Sequence, residues 1–250
     1  MQTISKVKQL MVTMRIKQWV KNLFIFAGIV FAGKLFHIEL LLEVCTGFVL
    51  FGLAASSIYI FNDIHDLEHD KTHPVKKNRP LAAGLISIHR AYTIAIIGAA
   101  IAIIGAFVLD LRFFGIVIGY LAINIAYTMK IKELVILDVM CIASGFVLRV
   151  FAGSLLSDAN PSEWMIVCTI TLSLFLGFSK RRQELALTGS KANSQRKVLG
   201  NYSIGFLDQM ISVATASTVI AYALYSVSPQ TVYRLNTRNL AFTIPFVLYG

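Results

Sequence analysis

The residues best suited to chemistry form one short run, Asn62-Asp63-Ile64-His65-Asp66-Leu67-Glu68-His69-Asp70. On a helix, Asp66, Asp70 and Asp63 lie about 40°, 80° and 100° around from Asn62, one stripe about a quarter of the circumference wide. Three carboxylates so close repel one another, so something positive must offset them. Hard oxygen ligands on one face, with room for phosphate oxygens and water, suit Mg²⁺. Asn62, Asp63, Asp66 and Asp70 are therefore the candidate metal ligands. A solvated acidic helix end is the plainer reading, and a cation pathway in a transporter is a third. The first fits poorly with an acid that closes an apolar run, where charge is costly.

Cations follow at once. His73-Pro74-Val75-Lys76-Lys77-Asn78-Arg79-Pro80 places Lys76, Lys77 and Arg79 just beyond the acids. A metal site alone has no use for them, whereas a metal-bound polyphosphate does, since Lys and Arg neutralise the oxygens that the metal leaves. Pro74 and Pro80 keep this stretch out of regular helix. Three further groups stand apart: Tyr127 with Lys130 and Lys132, Asp138 with Arg149, and Lys180-Arg181-Arg182-Gln183-Glu184. Tyr and Lys at a helix end also serve as plain interface anchors. Asp138 and Arg149 lie within one apolar run, where an ionisable group is a functional candidate by default, a structural ion pair with another helix being the alternative.

The elements that must carry these residues are membrane spans. Of the 250 residues, 56% are hydrophobic and only 14% charged, against about 25% charged in a soluble domain. Mean hydropathy is +0.70. The net charge of +10 sits in short clusters between apolar runs, a pattern of membrane topology rather than of nucleic-acid binding. Apolar runs near 20–36, 40–61, 90–109, 113–128, 134–153, 163–179 and 206–227 predict seven spans. An eighth begins near Leu240 and meets the end of the chain after about half a span, so the chain is expected to be cut short there. With the N-terminus inside, segments 1–21, 62–90, 128–133 and 180–201 carry eighteen Lys and Arg, while the opposite side has four, Lys34, Arg112, Arg234 and Arg238. That asymmetry puts the polar loops on the cytoplasmic face of a plasma (inner) membrane. Lys6, Lys8, Arg15, Lys17 and Lys21 mark residues 1–20 as an amphipathic surface segment. Cys45, Cys141 and Cys168 all fall in apolar runs and are expected to be small core residues. The expectation is an all-α, polytopic transmembrane bundle, a single domain over 1–250.

Asn62-Asp63-x-x-Asp66-x-x-x-Asp70 resembles the first aspartate-rich motif of UbiA-type intramembrane prenyltransferases, which bind a Mg²⁺-pyrophosphate there. His73-Pro74-x-Lys76-x-x-Arg79-Pro80 and the opening Arg15-x-x-Gln18-Trp19-x-Lys21-Asn22 look more like one branch, the decaprenyl-phosphate phosphoribosyltransferases. The resemblance runs the length of the chain. It implies nine helical spans in the family, about seven and a half of them here. It also implies a Tyr/Lys motif near the diphosphate, matched by Tyr127, Lys130 and Lys132, and it adds Lys21 to the substrate-binding candidates. Many UbiA-type enzymes carry a second aspartate-rich motif where this chain has Lys180 and Glu184 flanking Arg181 and Arg182. A basic site suits a phosphate better than a second metal.

The departure favours phosphoribosyl pyrophosphate, with its additional 5-phosphate, as donor; the resemblance implies a polyprenyl (decaprenyl) phosphate as acceptor, in a pathway feeding cell-envelope arabinose precursors. In that reading Asp63, Asp66 and Asp70 hold Mg²⁺, Lys76, Lys77 and Arg79 assist the leaving pyrophosphate, and Lys130 or Arg149 orients the acceptor. The alternatives are prenyl transfer from a prenyl diphosphate to an aromatic or glycerol-phosphate acceptor, or a cation-coupled transporter. Oligomeric state leaves no signature in the sequence.

Overall fold

The computed structural model describes residues 6–188, 197–234 and 240–249. Among these, every regular element is a helix, and six are long and apolar enough to cross a membrane. In order, four short 3₁₀ turns aside, they are α1 (Lys6–Thr13), a 3₁₀ run (Ile16–Phe26), α2 (Ala27–Phe31), α3 (Ile38–His65), α4 (Leu67–Thr72), α5 (Ile88–Leu109), α6 (Leu111–Met129), α7 (Leu137–Leu156), α8 (Glu163–Thr188), α9 (Ile204–Val227), α10 (Pro229–Arg234) and α11 (Ile244–Tyr249). The six spans are α3, α5, α6, α7, α8 and α9.

The predicted first span, 20–36, does not form as one long α-helix. Its first part belongs to the 3₁₀ run, which carries Lys17, Gln18, Lys21 and Asn22, and only five residues follow as α2. Lys21 and Asn22 at the start of the predicted span and Lys34 near its end leave only residues 23–33 without a polar side chain, about half of what a span needs. Gly33, at φ +69°, then turns the chain toward α3, a conformation that costs glycine little.

The chain divides into two compact units, Met1–Leu23 with Cys45–Met129, and Phe24–Val44 with Lys130–Gly250. In the first, α5 lays a buried row of small residues, Ala91, Ala95, Gly98, Ala102 and Ala106, along one face. A Cβ at Gly98 would meet Ser57 Oγ at 2.7 Å and one at Gly105 would meet Leu50 at 2.5 Å, so this face lies directly on α3. Lipid supplies no hydrophobic push between helices, and close approach through small residues is how such helices gain contact. The turn from α5 to α6 is a single residue, Asp110. Its Oδ1 accepts the amide N–H of Arg112 (2.7 Å) and of Phe113 (3.0 Å), and Oδ2 accepts from the Arg112 side chain (3.2 Å). Burial alone would raise the Asp110 pKa, but these amide and guanidinium donors outweigh it and hold the carboxyl below its ordinary value.

In the second unit the backbones come closer still. A Cβ at Gly153 would fall 1.5 Å from the Ile25 carbonyl oxygen, and one at Gly28 would fall 2.5 Å from Ser154 backbone atoms. The C-terminal end of α7 is closed by Lys34, whose Nζ donates to the carbonyls of Ser157 (3.2 Å) and Asp158 (2.6 Å). A cation suits the negative end of a helix. α7, α8 and α9 pack around Val139, Phe178, Val198, Tyr202 and Leu207.

Candidate active site

The acid run ends α3 and opens α4. The two helices are nearly continuous: Asp66 N–H donates to the Asn62 carbonyl and Asp70 N–H to the Asp66 carbonyl, both at 2.9 Å. The expected single stripe therefore survives a break at Asp66. Asp63 and Asp70 are buried, and Asn62 and Asp66 are half-buried. A single nitrogen of Arg79, Nη1, donates to Asp63 Oδ1 (2.9 Å) and to Asp70 Oδ2 (2.5 Å). Asp63 Oδ1 also accepts from Arg15 Nη2, whose guanidinium lies 5.2 Å from the centre of the Tyr59 ring. Tyr59 and Asp63 are one turn apart on α3, so Arg15 grips two successive turns of it.

Arg15 reaches α3 through strain. Its backbone sits at φ +51°, the left-handed region that non-glycine residues avoid. Two neighbouring contacts hold the segment: Trp19 Nε1 donates to Ser56 Oγ (2.9 Å), and Ser56 Oγ donates to the Met14 carbonyl (2.7 Å). The connection to Arg79 is shaped by His73, whose Nδ1 accepts the amide N–H of Val75 (3.1 Å) and of Lys76 (3.2 Å). This ring, with Pro74 after it, brings Arg79 back to Asp70 and Asp63, nine and sixteen residues before it. Lys76 is half-buried and Lys77 exposed.

The donor chemistry suits a divalent ion, because two hard-oxygen carboxylates already converge on one positive point. The expected three-acid cage is not preassembled, however. Among the described residues no three His, Cys, Asp or Glu side chains gather as a metal site. The reason is that Arg15 and Arg79 take the positions around Asp63 and Asp70, and buried carboxylates need such partners.

The remaining candidates lie in the second unit, apart from Tyr127, which is half-buried near the end of α6, and Lys21, half-buried in the 3₁₀ run. Lys130 is exposed and Lys132 half-buried, beside the short 3₁₀ turn Ile131–Glu133. Arg149 is buried within α7; its Nη1 donates to the Gly145 carbonyl (2.7 Å), and it stacks over the Phe146 ring at 5.7 Å.

The basic run at the end of α8 separates into different environments. Lys180 and Arg182 are exposed, and Arg182 pairs with Asp208 on α9. Arg181 is wholly buried. Its Nε donates to Asp138 Oδ2 (2.6 Å) and its Nη1 to Glu184 Oε2 (2.7 Å). The structure thus corrects the phosphate-binding assignment of Arg181. Arg79 also bridges two carboxylates but keeps 27% of its side chain accessible, whereas Arg181 has no accessible surface and so is not presented to the donor phosphate it was expected to bind. Glu184 serves that same pair. Asp138 is likewise the structural ion pair with another helix. It also accepts from the Tyr202 hydroxyl (2.7 Å), and burial together with this bond raises the Tyr202 pKa well above its ordinary value.

Sequence reasoning left Arg15, Tyr202 and Asp208 out of the site. Arg15 was hidden among lead-in charges, although its place in the opening motif set it apart. Tyr202 and Asp208 gave no local signal, since their partners lie 64 and 26 residues away.

An all-helical fold among the described residues, with an Asn-Asp-rich helix end answered by arginines, fits a class of intramembrane transferases. The UbiA prenyltransferase family model matches residues 22–233, and the chain belongs to that family. Its similarity within the family is specific. The decaprenyl-phosphate phosphoribosyltransferase of Mycobacterium tuberculosis is 31% identical over 216 residues, 85% of this chain and 72% of that protein. The protein of the same name from Corynebacterium glutamicum is 34% identical over 216 residues, 85% and 65% of the two chains. The fold is shared with a UbiA homolog from Archaeoglobus fulgidus bound to DMAPP and Mg²⁺, at a TM-score of 0.73 and 19% identity, over 96% of this chain and 86% of that one.

Proposed function

We propose that this transferase moves 5-phosphoribose from phosphoribosyl pyrophosphate to a polyprenyl phosphate, with Mg²⁺ as cofactor and its polar loops on the cytoplasmic side of the plasma membrane. The observation that carries the reading is the cluster of Asp63 and Asp70 on Arg79, supported by relatives that bear the name of this activity. If a metal-bound pyrophosphate entered, these acids would be the groups to hold the metal and the guanidinium groups the ones to bind phosphate oxygens. Asn62, Asp63, Asp66 and Asp70 would hold Mg²⁺, which stabilises charge on the pyrophosphate. Arg79, with Lys76 and Lys77, binds the oxygens left over.

As the bond from ribose C1 to the pyrophosphate oxygen breaks, a phosphate oxygen of the acceptor forms the new bond to C1. The pyrophosphate leaves with the bonding electrons. The acceptor oxygen is already anionic, so no strong base is needed, and a cation suffices to orient it. Lys130 and Arg149 are the candidates for that role, with Tyr127, Lys132 and Lys21 as substrate contacts. Lys180 and Arg182 are the candidates for the 5-phosphate.

The test is to incubate membranes with labelled phosphoribosyl pyrophosphate, Mg²⁺ and polyprenyl phosphate and to extract the lipid. A labelled phosphoribosyl lipid is expected. Label appearing only when a prenyl diphosphate replaces this donor would favour the prenyltransferase alternative. The digeranylgeranylglyceryl phosphate synthase of Sulfurisphaera tokodaii, 29% identical over 60% of this chain and 52% of its own, is similar to that extent.

A further inference from the structure

The segment leading into α7 contains the least comfortable backbone among the described residues of the second unit. Ile136 sits at φ +69°, ψ −47°, and Leu137 N–H returns to the Val135 carbonyl at 2.8 Å. This closes a three-residue γ-turn of the strained kind. A β-branched residue is a poor choice for it, where glycine would be at ease. The Ile136 side chain is 39% exposed, so deep side-chain burial does not explain the turn.

Its amide does. Ile136 N–H donates to Tyr202 Oη at 2.7 Å, and the Tyr202 hydroxyl donates onward to Asp138 Oδ1 at 2.7 Å. The other Asp138 oxygen takes the Arg181 Nε–H. Tyr202 is itself fixed, packed with Val139, Phe178, Val198 and Leu207 and stacked on Phe206. Upstream, Glu133 N–H bonds the Lys130 carbonyl (3.1 Å) and Leu134 N–H the Ile131 carbonyl (2.9 Å). Tight turns thus run from Lys130 to Ile136, and relaxing φ at Ile136 would swing the stretch that bears Lys130 and Lys132. Strain held in place by a dedicated buried network is grounds for inferring function.

We propose that Tyr202 and Asp138, backed by Arg181, form a latch that holds Ile136 in its left-handed turn, and are positioning residues for Lys130 and Lys132. This rests on the reading of those lysines as substrate contacts.

The test uses the full chain in detergent, with Tyr202→Phe, Ile136→Gly and the double variant. Hydrogen exchange of the 130–137 peptide, measured without substrate, should be at least tenfold faster in Tyr202→Phe than in the wild type. Turnover with whichever donor the wild type uses should fall at least tenfold, with donor KM changed less than kcat. Because glycine adopts the turn without help, the double variant should recover turnover to within threefold of wild type, a rescue that a purely fold-stabilising tyrosine would not show. If Tyr202→Phe alone does not fold, the double variant decides: folded and active supports the latch, unfolded overturns it. Unchanged exchange in Tyr202→Phe, or loss of turnover without rescue by glycine, also overturns it. A wild type inactive with phosphoribosyl pyrophosphate would sink the donor reading, while the exchange measurement would still judge the latch.

Discussion

At Arg79 one guanidinium nitrogen answers two aspartates, and this sets what each substitution should do. Asp63→Asn and Asp70→Asn each remove an oxygen ligand without changing shape. Each should lower activity at least ~10²-fold, the lower range for an electrostatic group aimed at developing charge. Arg79→Lys keeps the charge but lacks the further planar donors that a guanidinium can turn to phosphate oxygens, so it should rescue only part of the loss in Arg79→Ala. Near-wild-type turnover in both aspartate variants, with Mg²⁺ still required, would move the metal elsewhere.

The same scale separates neighbours at the end of α8. Arg181→Ala leaves Asp138 buried without its cation, a loss of about 3–5 kcal/mol, so it should yield little folded protein. Lys180→Ala should fold normally. If Lys180 binds donor phosphate by a charge-assisted bond of about 1.5–3 kcal/mol, donor KM should rise roughly 10- to 150-fold. Arg182→Ala should do less, because Asp208 already holds that guanidinium. Unchanged donor KM in both variants would leave the 5-phosphate without a contact at the end of α8. From sequence these three cations were indistinguishable, because burial at Arg181 depends on Asp138 and Tyr202, 43 and 64 residues distant from their respective partners.

Elements are fitted to one another by glycines and caps. Gly153→Ala puts a methyl group into the Ile25 carbonyl, and both partners are backbone, so neither can step aside. Its folded yield in detergent should collapse. Gly115→Ala and Gly119→Ala on α6, where a Cβ meets nothing within 4 Å, should behave as wild type. Equal yields for all three would mean that α7 does not cross that close.

The α5–α6 turn has a pH signature. The Asp110 carboxyl titrates below its ordinary value of 3.8 when folded. Its stabilising contribution is complete above the unfolded pKa and disappears as pH falls through the folded one. Thermal unfolding of wild type and Asp110→Asn should therefore differ by a constant at neutral pH and converge below about pH 4. A gap that widens on acidification would contradict this assignment. In the sequence Asp110 merely falls between the predicted spans 90–109 and 113–128, since a cap is recognisable only once its amide donors have helical geometry.

For the whole molecule, the charge asymmetry makes a topological forecast. In a cysteine-free background, Phe36→Cys and Leu187→Cys place thiols at two exposed positions, 91% and 80% accessible, on opposite expected sides. An impermeant reagent should label the first in intact cells and the second only after the membrane is opened. The reverse pattern would turn the enzyme over. The spans after the first were legible at this scale because hydropathy needs only composition, and the aspartate stripe because helical spacing is local. The 3₁₀ run at Ile16–Phe26 was not legible, since its apolar content resembles a span and its polar residues resemble ordinary lead-in charge. The left-handed turns at Arg15 and Ile136 were not legible either, as both residues ordinarily avoid that conformation and are kept there by partners far along the chain.

The fastening of Arg15 to Asp63 also has a consequence in time. The two residues are 48 apart, and Trp19 waits on Ser56 across 37. At a synthesis rate of ~5–20 residues per second, Arg15 is made about 2–10 s before its partner exists. Throughout that interval the nascent amino-terminal stretch has no α3 to grip. Its amphipathic character lets it rest at the lipid headgroups until the helix arrives. The grip of Arg15 and Trp19 on α3 can therefore close only after that helix is made.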